Sequence, residues 1–165
     1  MSSWWPPSPA SSPYITSEGY HRLETELNGH WSRRKDVTKA LTAAAAEGDR
    51  SENAEYIYRK KELREIDRRI RYLQQRMSKL KIVSEVGDTG RVYFGAIVTL
   101  EDVAGVEMTY RIVGADEIDA DKNYISIDSP MSKALLGKTL DDEVMVKTEQ
   151  TISYYIVTEI EYKLK

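Results

Sequence analysis

The chain has 165 residues, 41% hydrophobic and 31% charged, which is enough for one ordinary domain or two small ones and too strongly patterned for disorder. It has no cysteine, which excludes disulfides, thiolate metal sites and cysteine nucleophiles and fits a reducing cytoplasm. The net charge of −3 conceals a division that implies two kinds of partner surface: residues 50–81 carry eleven Lys or Arg against five Asp or Glu, a net of +6, and residues 82–165 carry eight against sixteen, a net of −8.

Residues 1–13 are rich in Ser and Pro and include Trp4 and Trp5, a composition that builds no core and predicts a flexible tail. The opening lacks a basic stretch followed by an apolar one, and no apolar run approaches the roughly 20 residues of a membrane span. A cytoplasmic protein with no membrane partner is expected.

From Ile15 the pattern changes. Thr16 is placed to cap a helix, with Ile15 and Tyr20 as its hydrophobic staple. Tyr20, Leu23, Leu27, His30, Arg34, Val37, Leu41 and Ala44 then recur at spacings of three and four, a coiled-coil seam with two polar interruptions. Tyr56, Arg59, Leu63, Ile66, Ile70, Leu73, Met77 and Leu80 repeat the rule with one basic interruption. The connection around Gly48 to Ser51 is short enough to force the two helices antiparallel, seam to seam, so residues 14–86 are read as a coiled-coil hairpin with an acidic tip at 48–55.

Gly87-Asp88-Thr89-Gly90 marks the next boundary, beyond which the period drops to 2 and β-branched residues dominate. Strands are predicted over 92–100, 107–113, 124–127, 143–147 and 152–162. Ser129 followed by Pro130 opens a short helix through Leu136 that Gly137 ends. Residues 87–165 thus form a small antiparallel sheet carrying one helix, and the whole chain is α+β.

Three groups of residues carry candidate chemistry. Asp49 and Glu52 have the spacing of a capping box at a helix start, which is the bland reading. Their position at an exposed tip together with Glu55 is not required by stability. Mg²⁺ is commonly held by one or two protein carboxylates with waters and phosphates, so two tip acids complete a site whose other ligands come from a partner. Arg59, Lys60, Lys61, Arg64, Arg68, Arg69 and Arg71 make the second helix basic. Glu62, Glu65 and Asp67 can pair with part of that run, but the excess charge suits a nucleic acid backbone guided toward the tip. Tyr58 and Tyr56 are near the tip and able to stack on a base, yet Tyr56 is in phase with the seam. His21, His30, Ser17 and Ser129 fall into no pattern that sets a base beside a nucleophile, so self-contained catalysis is unsupported.

The run Gly48-Asp49-Arg50-Ser51-Glu52-Asn53-Ala54-Glu55-Tyr56, the segment Leu63 to Leu73 and the later Tyr124-Ile125-Ser126-Ile127-Asp128-Ser129-Pro130-Met131 resemble the bacterial Gre-type transcript cleavage factors over residues 14–163. The basic second helix is nearer the GreB branch than the GreA branch. The resemblance implies a hairpin that enters the secondary channel of bacterial RNA polymerase and an FKBP-like C-terminal domain at the channel rim. Asp49 and Glu52 match the tip acids that help hold the second Mg²⁺ of the polymerase active site, jointly with the polymerase and not tightly in the free protein. Arg59, Lys60, Lys61, Arg64 and Arg68 correspond to the basic patch facing the nascent RNA 3′ end of the backtracked complex. Asp128, Ser129 and Pro130 fall in the polymerase-docking loop. The expected protein is a monomer, a cofactor rather than an enzyme, that stimulates endonucleolytic cleavage and rescues arrested complexes. A noncatalytic channel binder that inhibits the polymerase is the alternative within the family. A prolyl isomerase is the alternative outside it, disfavoured because residues 95–165 offer no Trp or Phe for an apolar pocket.

Overall fold

The computed structural model describes residues 11–47 and 53–163. The chain divides into two compact units, one of residues 20–80 and one of residues 81–165 together with the segment up to Gly19.

Two helices make the first unit. Helix α1 spans Ser17–Ala45 and α2 spans Ala54–Met77. At 1.5 Å per residue they are about 43 Å and 36 Å long. Cross-helix partners fall in number along α2 as they rise along α1, with Glu26 bonded to Arg69, Arg33 to Glu62 and Ala44 to Asn53, so the helices are antiparallel. Every seam position expected from the spacing is buried or half-buried, and Val37, Ile66 and Ile70 form the inner cluster with Leu27 and Leu63 against it. Apolar residues at alternating spacings of three and four land on one side of each helix, which is why two otherwise polar helices pair. Thr16 caps α1 as expected, its Oγ1 accepting the Gly19 amide at 3.0 Å.

The second unit is a five-stranded sheet. Strand β1 (Tyr14–Ile15) pairs in parallel with β2 (Lys81–Ile82) as a separate two-residue ladder. Strands β3 (Ala96–Asp102), β4 (Glu107–Val113), β5 (Tyr124–Ser126), β6 (Glu143–Lys147) and β7 (Ile152–Tyr162) follow, in the order β5-β4-β3-β7-β6. All neighbours are antiparallel except β4 and β5, which run parallel. The expected all-antiparallel sheet is therefore mixed at one edge, because residues 114–123 cross back before β5 begins rather than turning tightly. Strand β3 starts at Ala96 and not at Val92. Gly95 stands at φ +87°, in the left-handed region, and the Ala96 amide bonds back to the Tyr93 carbonyl at 3.1 Å, so residues 93–96 form a turn.

Alternation along β3 and β6 puts Val98, Leu100, Val144 and Val146 inside, where they meet Ile112, Val157 and Leu135. Leu135 comes from α3 (Pro130–Leu135), capped by Ser129 and ended at Gly137 with φ +82°, as the sequence predicts. A buried carboxylate ties the chain's start to this unit. Glu117 accepts the Thr16 amide at 3.0 Å, the Thr16 hydroxyl, and the Gly114 amide at 2.8 Å. A Cβ on Gly114 would collide with the Tyr14 carbonyl oxygen, so only glycine fits there, and one on Gly19 would displace the Glu117 carboxylate from its hydrogen bonds. Among the described residues no helix is long and apolar enough to cross a membrane.

Candidate functional site

Asp49 and Glu52 lie outside the described residues, but the helix ends on either side are defined. Helix α2 is capped by Asn53, whose backbone is extended at φ −87°, ψ 100°. Its Oδ1 accepts the Tyr56 amide at 3.0 Å and its Nδ2 donates to the Ala44 carbonyl at 2.8 Å. One carboxamide thus caps the second helix and closes the hairpin across to the first. The capping-box reading of Asp49 and Glu52 lies outside the described residues, and the N-cap of α2 is Asn53. Asn directly before a helical pattern is an N-cap signal in its own right.

The basic residues of α2 divide in two. Arg59 is engaged, its Nε donating to Glu55 at 2.8 Å and its Nη1 to Glu62 at 2.9 Å, and these two hydrogen bonds raise its pKa further. Glu62 also accepts from Arg33 Nε at 3.0 Å. Lys60, Lys61, Arg64 and Arg68 are exposed and form no ion pair among the described residues. Lys60 Nζ stands 5.8 Å from the centre of the Tyr56 ring. Tyr58 is 59% exposed, with the Arg59 guanidinium 5.3 Å from its ring centre, whereas Tyr56 is half-buried in the seam. The geometry leaves a cationic face on α2 with one aromatic ring beside it, the combination that holds a single-stranded nucleic acid.

The polar interruptions of the seam are met by charges beside it. Arg34 Nε donates to Asp67 at 2.7 Å, and Glu26 accepts from Arg69 Nε at 2.6 Å while standing 2.8 Å from His30 Nε2. The Arg69 hydrogen bonds, helped by His30 and opposed by partial burial, hold the Glu26 carboxyl below the usual glutamate range. A carboxylate with a depressed folded pKa stabilises in full above its unfolded pKa, and the contribution is lost as pH falls through the folded one. Glu26→Gln is accordingly expected to lower hairpin stability at pH 7 by up to about 1 kcal/mol, a figure held down by partial solvent exposure. The gap to the parent should close as pH falls through the acidic range below the ordinary glutamate pKa. Thermal melts of both proteins from pH 7 to pH 3 check this, and a gap that widens toward low pH contradicts it.

In the second unit the expected docking residues are joined to the N-terminal segment. Asp128 is half-buried, Oδ2 accepting the Ser12 amide at 2.9 Å and Oδ1 the Ser12 hydroxyl at 2.5 Å. Ser129 Oγ accepts the Ser132 amide at 3.1 Å, and Ser132 Oγ donates to the Ser126 carbonyl at 2.6 Å. Pro130 is exposed and lines an open hollow of about 640 Å³ with Lys147, Thr148, Glu149 and Gln150. A smaller cavity of about 120 Å³ is lined by Glu18, Glu85, Phe94, Arg111, Tyr162 and Lys163 among others. Glu18 stands 3.3 Å from Arg111 and 3.8 Å from Lys163, so its charges are paired internally. Beside it burial pushes the Tyr124 phenol up, but Lys163 and Arg111 outweigh burial and bring it below the usual tyrosine range. One hollow is wide open and has no aromatic ring in its lining, and the other is well under the roughly 300 Å³ of a ligand pocket, so neither suits a prolyl peptide.

Among the described residues no group of three or more His, Asp or Glu is placed to hold a metal ion. The donor chemistry of Asp49 and Glu52 fits Mg²⁺ all the same, since hard carboxylate oxygens suit that ion and two of them are an incomplete set.

Two family models match the chain. One, described as the N-terminal part of a transcription elongation factor, matches residues 13–82, and the other, described as the GreA/GreB C-terminal part, matches residues 87–162. Transcription elongation factor GreB of Pseudomonas aeruginosa is 56% identical over 98% of each chain. The GreB of Xanthomonas axonopodis pv. citri is 51% identical, again over 98% of each. Among solved structures, Gfh1 of Thermus aquaticus is 28% identical over 92% of this chain and 99% of that one, with a TM-score of 0.42.

Proposed function

The chain belongs to the GreA/GreB family of transcription elongation factors, and on that premise we propose that it stimulates cleavage of backtracked nascent RNA by bacterial RNA polymerase in the cytoplasm. It does so as a monomeric cofactor. The hairpin enters the secondary channel, and the Asp128-Ser129-Pro130 loop holds the second unit at the rim. The observation that supports this most is the closure of the hairpin by Asn53 on Ala44, which leaves and rejoins the helices at one end with Asp49 and Glu52 between them in sequence.

Asp49 and Glu52 bring two negative charges to a centre whose remaining ligands belong to the polymerase. Mg²⁺ bound there supplies a water of lowered pKa and neutralises charge on the scissile phosphate. In the hydrolysis the water oxygen bonds to phosphorus, the O3′ of the retained strand leaves with a proton, and a short 3′ fragment departs carrying the phosphate. Lys60, Lys61, Arg64 and Arg68 line the approach and hold the extruded strand by its phosphates, with Tyr58 available to stack on a base.

A stalled ternary complex incubated with and without the protein over a range of Mg²⁺ concentrations tests the reading. Shortened transcripts and released 3′ fragments, appearing at lower Mg²⁺ when the protein is present, are expected. Slower nucleotide addition with full-length transcripts would overturn it in favour of a noncatalytic channel binder.

A further inference from the structure

We propose that Ser12 is a positioning residue for polymerase docking, clamping the Asp128 carboxylate so that the Asp128-Ser129-Pro130 loop is pre-formed before the partner arrives. The inference rests on that loop being the docking element. Ser12 donates twice, from its amide to Oδ2 at 2.9 Å and from its hydroxyl to Oδ1 at 2.5 Å, across 116 residues of sequence. Both oxygens of one carboxylate held by one residue fix its rotation as well as its position, and charge-assisted bonds of this kind are about twice as strong as neutral ones.

The clamp is itself anchored. Immediately after Ser12, the Pro13 carbonyl accepts the Lys81 amide at 2.7 Å, and the Ile15 carbonyl accepts the Val83 amide at 2.9 Å, on either side of the β1–β2 ladder. On the other side, Asp128 immediately precedes Ser129, the cap of α3, and its own amide donates to Ser126 Oγ at 3.0 Å. Ser12 therefore joins two segments that are each fixed, and the loop carrying Pro130 is held at its first residue. A docking loop ordered in the free protein loses less conformational entropy on binding than one that must order on contact.

The test is a double-mutant cycle on the full chain, with affinity for core polymerase and the rate of stimulated cleavage at saturating protein as separate readouts. Ser12→Ala is expected to weaken binding by about tenfold, the equivalent of one hydrogen bond to a charged group. Cleavage at saturation should be unchanged, and Ser12→Thr, which keeps the hydroxyl, should restore affinity. In an Asp128→Ala background, Ser12→Ala should have no further effect. Full additivity of the two substitutions, or an affinity for Ser12→Ala equal to the parent's while Asp128→Ala weakens binding, would overturn the proposal. If Asp128→Ala itself leaves affinity unchanged, the docking assignment is what fails. A drop in melting temperature without a change in affinity would make Ser12 a purely structural residue and would equally refute it.

Discussion

Asp49→Asn combined with Glu52→Gln is expected to reduce polymerase-stimulated transcript cleavage by about a hundredfold or more, the scale on which removing a charge-stabilising group from a reaction centre acts. Melting temperature and polymerase affinity should stay at the parent values. The substitutions preserve shape and remove both negative charges, so what they test is charge delivered to a metal centre. Folding is spared because the groups that hold the hairpin together lie elsewhere. Asn53 caps α2 and bonds to Ala44, and the inner cluster is built on Val37, Ile66 and Ile70. If the acids act by raising Mg²⁺ occupancy, excess Mg²⁺ should restore part of the lost cleavage. Cleavage by the double variant at the parent rate would remove these residues from the chemistry. Loss of affinity in parallel with cleavage would instead make them docking residues.

The regular parts of this protein were legible because they repeat. Seam residues such as Leu23, Val37, Ile66 and Ile70 are named by spacing alone, since a helix returns to the same face at alternating intervals of three and four. Val144 and Val146 in β6 are named by alternation in the same way. The cap of α3 at Ser129 and its end at Gly137 are signals within a few residues of what they control. Contacts between distant segments leave no such trace. The Ser12–Asp128 clamp, the parallel pairing of Tyr14–Ile15 with Lys81–Ile82, and the Glu117 carboxylate buried under Thr16 each depend on residues 67 or more positions apart, brought together only by the completed fold. Composition shows that the second helix is basic but not which cations are already paired. That partition needs the register of α2 against α1, which sets Glu62 between Arg33 and Arg59 and Glu26 beside Arg69.

The partition yields the other large effect. Replacing Lys61, Arg64 and Arg68 together by Gln is expected to weaken the functional interaction with a backtracked complex by about ten- to a hundredfold at low salt. It should also flatten the dependence of the half-maximal protein concentration on salt. Each cation that neutralises a phosphate on a single strand contributes about 0.7 to the slope of log affinity against log salt, so losing three should lower the slope by about 2. Arg59→Gln carries the opposite expectation. Its guanidinium is held by Glu55 and Glu62, so the salt slope should be unaltered. What that substitution removes is solvent-screened ion pairing within the hairpin, so stability should change little. Cleavage titrations of one stalled complex at four or five KCl concentrations measure both proteins against the parent. An unchanged slope for the triple variant would take the exposed face of α2 out of RNA binding. A slope change for Arg59→Gln as large as one third of the triple variant's would mean that its ion pairs open in the complex and that register does not decide which cations reach the strand.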